Sequence, residues 1–139
     1  MPDNVTEFRS KTSDTEKVTV NLGYVDLGLI DLLVAEKFYS NRTDFIRTAV
    51  RNQLERHADA TRQSASRKSL ELGLRVLTRR ELEDVQARGD MLHLRVLGLA
   101  TIADDVTPAL ALATIGSIEV LGALHAAPAV KAALARRIS

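Results

Sequence analysis

Lys17, Thr19 and Asn21 recur at every second position of EKVTVNL, residues 16–22, and offer an ammonium, a hydroxyl and a carboxamide in a row. Their chemistry is recognition by hydrogen bonds, since none of the three has a neighbour that would activate it as a nucleophile. The other chemistry-bearing side chains form no reactive set. His57, His93 and His125 are scattered, with no HxH or HxxxH spacing and no cysteine, so no metal site is expected. Asp104-Asp105 precedes a helix start and reads as part of a turn and cap. With no glycine-rich phosphate loop, triad signature or HExxH, the expectation is a non-enzyme without catalytic residues or cofactor.

Charge points the same way. The net charge of the 139 residues is only +1, but its distribution is uneven. Residues 1–40 hold four Lys/Arg against seven Asp/Glu; residues 41–68 hold Arg42, Arg47, Arg51, Arg56, Arg62, Arg67 and Lys68 against Asp44, Glu55 and Asp59. A basic stretch of this kind suits a polyanion, or else a solvated helix face. Apolar content of 45% with 27% charged residues is that of a soluble globular protein. No run approaches the roughly 18 apolar residues of a membrane span, and the polar start is unlike a signal peptide. Absence of cysteine fits a reducing compartment, and a cytoplasmic, nucleoid-associated location is expected.

The elements that position these groups can be read in order. Residues 1–15 lack periodicity and read as a disordered arm. In 16–22, Val18, Val20 and Leu22 alternate with the polar triplet, which predicts a strand closed by Gly23. Ile30, Leu33, Val34 and Phe38 form one stripe of a helix from about Val25 to Lys37. Ser40 or Asn41 then caps a second helix, with Asp44 in its first turn and Phe45, Ile46, Ala49, Val50 and Leu54 at helical spacing. Residues 58–69, polar and rich in Ala and Ser, read as a helix extension or linker.

Beyond residue 69 the pattern repeats. LRVL stands at 74–77 and again at 94–97, IEVL at 118–121, and Gly98 and Gly122 follow the last two. Thr78, Thr107-Pro108 and Pro128 open the helix that follows each strand. Residues 70–139 are thus expected to form a β-α repeat domain with a period of twenty to twenty-four residues, stacked as a short solenoid.

A single strand at 16–22 needs a partner for its backbone. Pairing with the tail of its own chain is one solution; antiparallel pairing with its twin across a two-fold axis is the other. The order strand, helix, then Ser40-Asn41-Arg42-Thr43-Asp44-Phe45-Ile46-Arg47 resembles the ribbon–helix–helix repressors of the Arc, MetJ and CopG type, over residues 16–57. One departure is Phe38-Tyr39 where many members have a glycine between the helices. The implied fold is mixed α and β: an N-terminal ribbon–helix–helix, an intertwined dimer, followed by a small C-terminal β-α repeat domain. The dimer core would comprise Val18, Val20, Leu22, Phe45, Ile46 and Val50.

The resemblance further implies a sequence-specific transcriptional regulator, a repressor, that lays a two-stranded ribbon in the major groove of double-stranded operator DNA. Lys17, Thr19 and Asn21 would meet base edges, with Lys suited to guanine O6/N7 and Asn to adenine N6/N7. Ser40, Asn41, Arg42 and Thr43 would meet phosphate at a helix N-terminus. Arg42 has pairing with Asp44 or Glu36 as its alternative; Arg47 and Arg51 are left to ion pairs. The tail is expected to join dimers into a tetramer, with a regulatory ligand pocket as the second possibility and no ligand indicated by the sequence. Two rivals stand beside this reading: an antitoxin with a toxin-binding tail, and a structural protein assembling through its repeats. Binding to its own upstream DNA would exclude the last; a co-purifying small protein would favour the antitoxin.

Overall fold

The computed structural model describes residues 15–139, so the arm expected at residues 1–15 lies, except for Thr15, outside the described residues. The elements are α1 (Tyr24–Ala35), α2 (Arg42–Arg56), α3 (Ala58–Arg67), β1 (Glu71–Leu77), α4 (Arg79–Ala87), β2 (Leu92–Ile102), α5 (Pro108–Thr114), β3 (Ile115–His125) and α6 (Pro128–Ala133). Among the described residues, six helices and one three-stranded sheet make a mixed α/β arrangement. The chain divides into two compact units between Asp59 and Ala60.

In the first unit, residues 15–23 are neither helix nor strand, and residues 16–22 form no backbone hydrogen bond with any described residue. Gly28 does not interrupt α1. That helix ends in a Schellman turn: the Lys37 N–H donates to Val34 O and the Phe38 N–H to Leu33 O, both at 3.0 Å, with Lys37 at φ 67°. A lysine therefore occupies the left-handed position that glycine takes most easily, at a cost of about 1 kcal/mol. The turn between the helices forms without the glycine, and the edge-on stack of Tyr39 on Phe45, centroids 5.0 Å apart, follows it. Expected as an extension or linker, the segment after α2 starts a new helix, α3, beyond a break at His57.

The second unit alternates strand and helix three times. Its strands are all parallel and lie in the order β1-β2-β3. Sequential order with right-handed crossovers sends every helix to the same side of the sheet. Leu82 of α4, Leu110 and Ala111 of α5 and Val130 of α6 duly share one core with Val96, Ala100 and Ile118. Caps fix the helix starts: Thr78 Oγ1 accepts from the Glu81 N–H at 3.2 Å, and Thr107 Oγ1 from the Leu110 N–H at 3.1 Å.

The register corrects the expected repeat. The two LRVL quartets are not equivalent, because Leu74 lies beside Leu99 and Leu77 beside Ile102. What aligns is glycine: Gly73 pairs with Gly98, and Gly98 with Gly122, so the first unit of the repeat is twenty-five residues long rather than twenty. Gly98 and Gly122 have φ of +138° and +126°, and a Cβ on either would lie 2.2 or 2.0 Å from the carbonyl oxygen of the preceding glycine. No other residue fits that geometry. A coincidence of letters masked the register, and the chain's glycines mark it.

At the far end the C-terminal residues close the structure. The Ile118 N–H donates to Arg137 O at 2.8 Å and the Ser139 N–H to Ile118 O at 2.9 Å, which places residues 137–139 along the outer edge of β3. Arg137 also donates to Leu112 O at 2.6 Å and Ile115 O at 2.9 Å, satisfying carbonyls at the end of α5. His125 is the last residue of β3.

Candidate nucleic-acid interface

Lys17, Thr19 and Asn21 are all exposed, and so are the residues between them: Val18 is 76% and Val20 69% exposed, and Leu22 is exposed as well. Apolar side chains of this size, on a backbone with no hydrogen-bond partner among the described residues, are open to a further partner. Ile46 and Val50 of α2 are exposed, so five of the six residues expected in a dimer core are exposed in the single chain, while Phe45 is half-buried and stacks on Tyr39.

The start of α2 is the most ordered polar feature of the first unit. Asn41 is its N-cap, accepting through Oδ1 from the Asp44 N–H at 2.8 Å, and Asp44 Oδ2 accepts from the Ser40 N–H at 2.9 Å. This reciprocal pair holds the turn rigid and leaves the backbone N–H groups of Arg42 and Thr43, which have no hydrogen-bond acceptor among the described residues, at the positive end of the helix. Free N–H groups at a helix start are of the kind that can hold an anion. Ser40, Asn41 and Thr43 therefore sit together at one helix end.

Arg42 departs from its expected place. Its guanidinium forms a two-pronged pair with Asp31 of α1, Nε to Oδ1 and Nη2 to Oδ2, both 2.8 Å, and pairs with neither Asp44 nor Glu36. The Arg42 hydrogen bonds hold the Asp31 carboxyl below its ordinary value, and Asp31 in turn raises the guanidinium. Both groups are exposed, so the fork ties α1 to the start of α2 at the surface, where water screens it. Asp31 was not singled out in the sequence because eleven residues separate the partners and no local spacing links them.

Elsewhere, His93 Nδ1 lies 3.0 Å from Ser117 Oγ, and Arg95 pairs with Glu119 at 3.1 Å. Arg75 forks onto Glu81, at 2.6 and 3.2 Å, and that carboxylate raises its pKa. Among the described residues no three His, Asp or Glu side chains are grouped to hold a metal ion, and no helix is long and apolar enough to cross a membrane.

An exposed alternating segment followed by a helical pair, the second helix capped at its start, is the order expected of a ribbon–helix–helix chain. Comparison of the sequence with known families agrees. The model of the ribbon-helix-helix transcriptional regulator family matches residues 13–131, and the chain belongs to that family. Its members are DNA-binding regulators, dimeric and normally non-enzymatic. No curated protein and no solved structure gives a significant match.

Proposed function

We propose that the chain is a repressor of transcription whose residues 16–22 pair antiparallel with their twin and enter the major groove of operator DNA. The observation that carries this reading is the exposure of Val18 and Val20 on a segment with no backbone partner among the described residues. Pairing across a two-fold axis satisfies one backbone edge and buries both valines with Leu22, Phe45, Ile46 and Val50. Lys17, Thr19 and Asn21 of both chains then face base edges. The backbone N–H groups at the start of α2, with Ser40, Asn41 and Thr43, hold phosphate. In this reading Arg42 serves phosphate only by leaving Asp31, so its first role is to fix the angle between α1 and α2.

Residues 16–57 are the DNA-binding domain in this proposal, residues 58–69 the connection, and residues 70–139 a solenoid-like β-α repeat that assembles dimers into a tetramer on paired half-sites at the nucleoid. A packed tail core favours this assembly role over that of an antitoxin tail that folds on its toxin.

Selection of bound DNA from a random pool, followed by mobility shift at stated salt, tests the reading. A symmetric site recovered by the intact chain supports it. Binding that is equal on all duplexes, or absent at low salt, overturns it.

A further inference from the structure

One face of the parallel sheet is bare. The helices cover the side that carries Val96, Ala100 and Ile102, and the opposite side presents Leu72, Leu74 and Val76 of β1, Leu97 and Leu99 of β2 and Leu121 of β3. Leu72 is 83% exposed and Leu74 70%, and Val76 and Leu121 are about half exposed. Parallel sheets are found almost only with both faces covered, because their strands are apolar on both sides. The rows are in register, Leu72 beside Leu97 beside Leu121, so this is one continuous patch.

We propose that this face packs against the same face of a second copy of the chain, an inference that rests on the ribbon dimer described above. Two features select that occupant. The first is charge: on the polar end of the face Arg95 and Glu119 neutralise each other and His93 is bonded to Ser117, so two such faces meet without like-charge repulsion. The second is size. Three strands about 4.8 Å apart and five residues at about 3.3 Å give a footprint on the order of 250 Å². A partner arriving free from solution needs roughly 800 Å² on each side. A copy already held by the ribbons needs far less, since tethering supplies an effective concentration in the millimolar range. Each ribbon dimer carries two of these faces, which engage one another within the dimer or two at a time between dimers.

The chain has no cysteine, so an introduced one reports a single position. Leu99 occupies the middle strand and middle row of the face; on an isologous contact it meets its own copy. Full-length Leu99→Cys is expected to cross-link under mild oxidation at least tenfold faster than Glu83→Cys, placed on the exposed side of α4. Addition of Leu74→Glu, at a position exposed in the single chain, is expected to abolish that advantage while circular dichroism stays unchanged. Sedimentation runs in parallel. Equal rates for the two cysteine variants in a chain that sediments as a dimer overturn the face contact and leave the ribbon intact. Cross-linking of Leu72→Cys without Leu99→Cys overturns it too, in favour of edge-to-edge pairing through β1. A monomer that fails to cross-link at any concentration overturns both proposals.

Discussion

Ile30 is the one buried apolar side chain between Thr15 and Asp59, whereas the unit that follows buries Leu77, Leu82, Val85, Val96, Ile102, Ile115, Ile118, Val130 and Leu134 among others. The two regions have similar means of making helices, with caps, first-turn acids and Schellman ends in both. They differ in where the apolar surface goes. In the second unit the strands supply a surface for the helices of the same chain. In the first, the helices and the segment before them keep Val18, Val20, Leu29, Leu32, Ile46, Val50 and Leu54 exposed. Such a unit cannot offset the conformational entropy of ordering its own chain. In the proposed dimer its fold is a property of two chains, and its stability is expected to depend on protein concentration while that of the second unit's own core is not.

The comparison can be broken most directly at the ribbon. Val20→Glu puts a charge into each half of the dimer core, and an unpaired buried charge costs about 3–5 kcal/mol. The variant is expected to lose DNA binding and the concentration-dependent part of its thermal unfolding, and to keep the transition of the second unit. Loss of both transitions together would show that the units are not independent. The complementary change is Gly98→Ala, where a Cβ would meet Gly73 O at 2.2 Å on a φ of +138°. Calorimetry is expected to show about 3 kcal/mol lost from the second unit, with helix content in the first unit unchanged.

Smaller effects sharpen the reading of the first unit. Asn21→Ala is expected to weaken operator binding by about 1–3 kcal/mol and to relax preference at one base position. An equal loss on every sequence would instead mark Asn21 as a phosphate contact. Lys37→Gly is expected to stabilise the first unit by about 1 kcal/mol, since glycine adopts the left-handed φ of 67° without strain. Denaturant midpoints with and without the change measure it, and a loss would mean that the lysine side chain has a role beyond the turn.

The last prediction concerns acid. Asp31 titrates below its ordinary value because its charged form is bonded to Arg42, so the link is complete above the usual carboxylate range and is lost as pH falls through and below it. Amide exchange at the start of α2, taken as a ratio to the free-peptide rate at the same pH, is expected to be constant from about pH 8 to pH 5 and to rise below about pH 4, near where free Asp titrates. In Asp31→Asn this acid-dependent rise should vanish.

How much of this was legible depended on the range of the interaction. Asn41 as one of the two expected caps, and Thr78 and Thr107 as helix starts, rest on contacts within four residues, and each stands where its residue type requires. The departure at Phe38-Tyr39 raised the question of how the chain turns, and the answer lay one residue earlier, in Lys37. Repetition of LRVL misaligned the first strand, since strand register is set by pairing across the sheet and a four-residue identity carries no information about it. Arg42 is the instructive case in the candidate site. Its type suited phosphate and two nearby carboxylates, but the fold brought up a third, Asp31, from the preceding helix.

By itself the amino-acid order determined most of the helices and the caps that start them, though not the separate helix at Ala58–Arg67, and that residues 16–22 carry a polar and an apolar side. Those outcomes follow from backbone and side-chain preferences acting over a few residues. Tertiary structure alone decided the strand register, the partner of Arg42 and the bareness of one sheet face. Each of these depends on which distant segments meet, and meeting is settled by the burial of apolar surface over the whole unit.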